Sequence, residues 1–218
     1  YELGMNELGL SLVNQFMAST RLSCTTKFEW QQIKLEKRCI EVPSEKSKTG
    51  YRNHPIPQRL IDIMRIEQQA QLTSHQHTKS PNGQPLLVFE SQRKKGQPPS
   101  NFDNNFNAVK KSLLAKAKRQ SLSADEIEDI QIFTRHTIRD LVEELLMAQH
   151  ASEGQKEKCI GHKPNEIGRA YANLSLKALS KLKDKMVDHV ECQFPEIKEL
   201  FDKLVDKEKS AMLKSQGV

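Results

Sequence analysis

Cysteine is scarce in this chain, and the four present, Cys24, Cys39, Cys159 and Cys192, show no paired spacing of the zinc or redox kind. With no signal peptide read at the start, they are expected to be reduced thiols of a cytosolic protein. Long apolar runs are missing too, and none approaches the roughly 20 residues that span a bilayer, so no membrane contact is expected. A glycine-rich phosphate loop is absent: Lys48-Thr49 sits beside Gly50, but the glycines that should precede the lysine are not there. His75 and His77 stand one residue apart with no third ligand at supporting spacing, so a solvated loop is expected and no metal or other cofactor. The single tryptophan, Trp30, reads as a packing residue.

At 218 residues the chain can bury a sizeable core, and one domain with a helical tail is expected. Its 34 Lys and Arg against 28 Asp and Glu give a net charge of +6, which favours a polyanionic partner without requiring one. Distribution says more than the total. Between Arg93 and Arg119 lie eight basic residues and one acid, Asp103, followed by an acidic run from Asp125 to Asp129. Arg93, Lys94, Lys95, Lys110, Lys111, Lys118 and Arg119 are therefore candidate phosphate contacts, with a solvated helix face as the alternative. Because the first residue is Tyr and helical patterning begins almost at once, the chain reads as a fragment of a longer one.

Apolar spacing predicts a helix from residue 5 to about Ala18, which leaves Arg21 just past its end. Lys27 to Ile33 reads as a short helix or turn leading into strands at Arg38 to Pro43 and Tyr51 to Pro57, joined by a polar turn, Ser44 to Gly50, with Lys48 near its tip. A helix follows over residues 58–72, then a polar loop to Pro85 and a short buried strand, Leu86 to Phe89. Residues 101–119 form a helix with Phe102, Phe106, Val109, Leu113 and Leu114 inside. Ser121 to Gln131 reads as a loop or short helical excursion, after which Ile132-Phe133 returns to the core. In the next helix Ile138, Leu141, Val142, Leu145 and Leu146 make the apolar stripe, and Thr137 and Asp140 have capping-box spacing. His136 and Arg139 lie off that stripe, where both can face a ligand. Ser152 to Ile160 is helical, Gly161 turns the chain to present His162, and Pro164 opens a helix carrying Ile167 and Tyr171. Two amphipathic helices complete the tail, whose apolar faces suit the core or a neighbouring subunit.

A basic residue, two imidazoles and a phenol between Thr134 and Asn173 make a plausible kit for attacking a phosphodiester. The order Arg21, Lys48, His136-Thr-Ile-Arg139, Gly161-His162, Tyr171 resembles the catalytic domain of the tyrosine recombinases, the phage-integrase family. The intervals agree as well, with twenty-three positions from Arg139 to His162 and nine from His162 to Tyr171. The run from Lys34 to Pro57 resembles the family's hairpin and Pro85 to Phe89 its next short strand, so the likeness covers nearly all of residues 1–175. A lone His-x-x-Arg or Gly-His is weak; six residue types in order and at matching intervals are strong.

The resemblance implies a mainly α (α+β) fold, a helical bundle with a small antiparallel sheet, over residues 1–174, with 175–218 as a helical extension that docks on a neighbour. It implies that Arg21 and Arg139 hold phosphate oxygens in paired hydrogen bonds and that His162 adds a donor. Tyr171 attacks phosphorus, Lys48 protonates the departing 5′ oxygen and His136 assists at the nucleophile. It further implies a bacterial or phage-encoded DNA strand-transferase that works on double-stranded DNA without metal or ATP, integrating or excising a mobile element. The chain is then a monomer when free and a homo-oligomer, a tetramer, on DNA, with accessory DNA-bending proteins and an N-terminal clamp domain that this fragment does not show. Two departures stand out: the family's Gly before the first Arg is Thr20 here, and its acid three positions after that Arg is Cys24. A catalytically silent DNA-binding protein, and a type IB topoisomerase or telomere resolvase, are the competing readings.

Overall fold

The computed structural model describes residues 6–43, 52–73, 79, 83, 86–91, 94–100, 102–134, 136–162 and 175–215. Its elements are α1 (Asn6–Ala18), α2 (Leu22–Thr25), a 3-10 turn (Trp30–Gln32), β1 (Ile33–Lys34), β2 (Cys39–Val42) and β3 (Arg52–Pro55). They are followed by α3 (Gln58–Thr73), α4 (Phe102–Arg119), α5 (Ala124–Ile132), α6 (Thr137–Ala148), α7 (Glu153–Ile160), α8 (Leu176–Gln193) and α9 (Pro195–Ser215). The fold is thus mainly helical with one three-stranded antiparallel sheet in the order β1-β2-β3, as expected at that level. Ile33 pairs with Ile40, and Val42 with Arg52, which fixes the register of β3 against β2. No helix among the described residues is long and apolar enough to cross a membrane, and all four cysteines are free.

Helix α3 is the centre of the core because Leu60, Ile61, Ile63 and Met64 are all buried, so it is apolar around most of its circumference. The sheet contributes Ile40 and Val42, α1 Leu10 and Met17, α6 Val142 and Leu146, α7 Cys159 and Ile160, and the last two helices Met186, Val187, Phe201 and Leu204. Trp30 is a packing residue, as expected: it is buried, and its indole N–H donates to Gln71 Oε1 at 2.8 Å. Gln71 in turn donates to the Val88 carbonyl at 2.9 Å, tying the turn before the sheet to the far end of α3.

The described part of the tail packs on this same core. Helix α9 lies along α3 and α8, and Arg59 of α3 reaches both, with Nε donating to Glu191 at 2.8 Å and Nη2 to Asp202. Asp184 of α8 accepts from Arg38 at 2.6 Å and from the Gln58 backbone N–H at 2.7 Å. Phe194 and Leu200 remain exposed.

Several sequence expectations are corrected. Leu86 to Phe89 is not a strand: only Leu87 makes a bridge, to Glu29, although Val88 and Phe89 are buried. The strand missed is β1, whose two residues are too few to show an alternation. Residues Ser121 to Gln131 contain the full helix α5, opened by Ser123, whose hydroxyl accepts from the Glu126 N–H while Glu126 reaches back to the Ser123 N–H. Ile132 does not return to the core and is 63% exposed; Phe133 does the packing, stacked on Phe106 at 6.0 Å. Leu113, Leu141 and Leu200 also face outward, at the edges of stripes wider than the surfaces that cover them. The cap of α6 is not a Thr137/Asp140 box; Thr134 and Thr137 exchange side-chain and backbone hydrogen bonds instead.

The Arg59 clamp has a direct consequence. Arg59→Ala strands Glu191, whose side chain is only 14% exposed, and is expected to lower unfolding free energy by about 1–3 kcal/mol, read from the denaturant midpoint. Hydrogen exchange should speed up first in α9.

Candidate functional site

Three short turns bring the candidate residues together. Helix α1 stops where Ser19 takes φ 56°, a left-handed conformation, and the chain then enters α2 with Arg21 at its start. The Arg21 carbonyl accepts from the N–H groups of Cys24 and Thr25, both at 2.9 Å, while the buried hydroxyls of Thr20 and Thr25 meet at 2.7 Å. This hydroxyl pair braces the turn that carries Arg21. Arg21 itself is exposed.

The second turn precedes α6. His136 occupies the position before the first helical residue, and Arg139, half-buried, follows one turn of sequence later. Arg21, His136 and Arg139 line one cleft of about 310 Å³, together with Ser23, Phe102 and Asp103. Arg139 is held at the base: Nη1 donates to the Ser19 carbonyl at 3.4 Å and Nη2 to the Ile160 carbonyl.

The third turn follows α7. Ser152 caps the helix start, and Gly161 ends it at φ 70°, ψ 36°, so that the His162 N–H reaches back to the Glu157 carbonyl at 2.8 Å. Gly161 also touches β3: a Cβ placed there would lie 2.3 Å from His54 Cε1 and 3.2 Å from Arg52 Nη1. Lys156 locks α7 to α6 through Glu143 at 2.8 Å. His162 is exposed and feels Arg139, Arg21 and Arg52.

The electrostatics are mainly positive, although Asp103 also lines the cleft and Glu143 and Asp140 act on Arg139. Burial, then Arg21 and Arg52, hold the Arg139 guanidinium below its ordinary value, and burial followed by Arg139 lowers His162. His54, fully enclosed beside Lys183, Arg139 and Arg52, is pushed down to about 3 and is neutral at physiological pH. Lys183, buried in α8, falls to about 8 chiefly through desolvation, and its ammonium donates to Ser19 Oγ. That contact braces the turn carrying Arg21 from below. Arrayed donors of this kind around an open cleft suit a tetrahedral oxyanion.

Of the six residues singled out, Arg21, His136 and Arg139 share the cleft and His162 stands beside it. Lys48 and Tyr171 lie outside the described residues, as do Arg93, His75, His77 and the helix expected after Pro164. Lys110 is engaged internally, donating to the Gln131 and Phe133 carbonyls at the end of α5. Lys94, Lys95, Lys111, Lys118 and Arg119 are exposed.

Sequence reasoning missed Arg52, His54 and Lys183. The first two share one strand face by their spacing of two, a signal present in the sequence. Lys183 falls four residues after Leu179 and three before Met186, within the apolar stripe, where a lysine is easily passed over.

Three expectations follow. Gly161→Ala must place its Cβ into His54 while holding a left-handed backbone, and should cost roughly 2–4 kcal/mol. Gly83→Ala, with φ +78° but nothing within 4 Å, should cost only about 1 kcal/mol in the same denaturation assay. For His54, the unfolded state binds a proton from pH 6.5 downward while the folded state resists until about 3. Stability is therefore fully present above pH 6.5 and falls as pH drops toward 3, with roughly 2 kcal/mol lost by pH 5; His54→Gln should flatten that limb.

Neither family models, nor curated proteins, nor solved structures match this chain, so its functional reading rests on the residues themselves.

Proposed function

We propose that this chain cleaves and rejoins duplex DNA as the catalytic domain of a site-specific tyrosine recombinase, with integration or excision of a mobile element as its setting. The observation that supports the reading is the convergence of Arg21, His136 and Arg139 on one cleft, with His162 on the adjoining turn. They are separated by up to 141 positions of chain, so no local constraint brings them together.

In this reading the scissile phosphodiester enters the cleft with its non-bridging oxygens toward Arg139 and Arg21. Arg139, already fixed by two backbone carbonyls, loses little freedom on binding and offers its remaining edge to phosphate. The Tyr171 oxygen forms a bond to phosphorus while the bond to the 5′ oxygen breaks. Lys48 gives that oxygen its proton, and His136 takes the proton of the phenol. The growing charge on the equatorial oxygens falls among the guanidinium groups and His162. A 5′ hydroxyl then attacks the 3′-phosphotyrosine and restores the phosphodiester. The exposed lysines of α4 add sequence-independent attraction to duplex DNA. Assembly of four chains on two duplexes, with the C-terminal segment reaching a neighbour, belongs to the same proposal.

The test is a pool of nicked duplexes of randomised sequence, in which a cleaved fragment is lost and the covalent complex accumulates. A protein–DNA adduct that survives denaturation is expected for the wild type, and none for Tyr171→Phe. Arg139→Ala should lower the rate of adduct formation by about 10²–10³. Retained binding with no adduct points to a silent DNA-binding protein and overturns the enzymatic reading. Relaxation of supercoiled plasmid without strand exchange points to a topoisomerase.

A further inference from the structure

Strand β3 places Arg52 on the face it shares with His54, and both side chains meet Gly161. The Arg52 Nη1 lies 3.2 Å from where a Gly161 Cβ would stand, and Arg139 donates to the carbonyl of the preceding residue, Ile160. Two guanidinium groups therefore flank the one turn from which His162 emerges, with Arg21 also within electrostatic reach of both.

How arginines are used elsewhere in the molecule gives the contrast. Arg38 holds Asp184 at 2.6 Å, Arg59 holds Glu191 and Asp202, and Arg65 holds Glu36 at 2.9 Å. No carboxylate among the described residues makes an ion pair with Arg21, Arg52 or Arg139. Arg52 Nη2 is shut off from solvent and has no hydrogen-bond partner among the described residues. A buried donor without a partner is costly, and like charges held together cost more. An oxyanion held between the guanidinium groups offsets the like-charge cost.

We propose that Arg52 is a third phosphate ligand, whose guanidinium joins those of Arg21 and Arg139 around the scissile phosphodiester beside His162. This rests on the function proposed above and names a residue that its motif does not contain. Three cations exceed the single charge of a phosphodiester, but the pentavalent transition state carries two. Arg52 therefore acts more strongly on the transition state than on bound DNA, and its loss slows the chemical step more than it weakens binding.

The experiment compares wild type, Arg52→Ala, Arg52→Gln and Arg52→Lys in two assays. In the first, nicked duplex at saturating concentration gives the rate of adduct formation, and a parallel titration gives DNA affinity. Arg52→Ala and Arg52→Gln should lose about 10–10² in rate with DNA affinity within roughly threefold of wild type, and Arg52→Lys should recover part of the rate. In the second, orthovanadate without DNA is titrated while the His162 imidazole resonances are followed. Its affinity should fall at least about tenfold in Arg52→Ala and Arg52→Gln, with the His162 shift correspondingly reduced. If the wild type forms no adduct, the recombinase reading fails while the vanadate titration still decides whether Arg52 holds an oxyanion. Wild-type vanadate affinity in a folded Arg52→Ala or Arg52→Gln overturns the assignment, as does a loss of DNA affinity as large as the loss of rate. Arg52→Gln, close in volume, carries the test should the alanine variant not fold.

Discussion

The guanidinium of Arg139 joins three parts of the chain that have no sequence proximity. It grows from α6, donates to the Ser19 carbonyl at the end of α1, and donates to the Ile160 carbonyl at the end of α7. Each of those carbonyls lies in or beside a turn that carries another candidate side chain, Arg21 in one case and His162 in the other. A single side chain thus sets the spacing of the site, because moving it moves both turns. Its partners are uncharged oxygens, which fix its orientation without cancelling its charge.

That choice of partners governs the electrostatics. Arginines with a structural task in this molecule, such as Arg38 and Arg59, are neutralised by carboxylates. Near the cleft the chain instead brings Arg21, Arg52 and Arg139 within electrostatic reach of one another, and Lys183 within reach of Arg139. Folding accommodates this in part by keeping His54 neutral, while Lys183, lowered to about 8, remains largely charged at neutral pH. Asp103, Glu143 and Asp140 offset part of that field.

Parts of this arrangement could be read directly from the residues. His136 and Arg139 were legible because a spacing of three on a helix puts two side chains on neighbouring positions, and the apolar stripe of Ile138, Val142 and Leu146 faces the other way. Gly161 before His162 was legible as a helix stop, and the helix does end there in a left-handed residue. Leu141, Leu113 and Ile132 were misjudged because periodicity locates a stripe but not its width, and the width depends on which elements pack against it. Strand β1 was invisible because two residues acquire extended structure only by pairing with β2. Arg52 went unnoticed although its spacing from His54 was plain, since nothing local says which side of β3 meets α7.

The order of the candidate basic residues belongs to the sequence itself, while local chemistry, acting through near neighbours, determined the mainly helical character, the stops at Ala18 and Gly161, and the capping serines at 123 and 152. These depend on rotations and hydrogen bonds within four or five residues, which a sequence states in full. Only the tertiary structure decided that Ser19 and Ile160 would meet one guanidinium, that Arg52 would press on Gly161, and that Lys183 would be enclosed beneath the Arg21 turn. Those contacts bridge 21 to 164 positions of chain. They exist because burying the apolar face of α3 draws the surrounding elements together, and solvent-driven burial is indifferent to which polar groups it brings face to face.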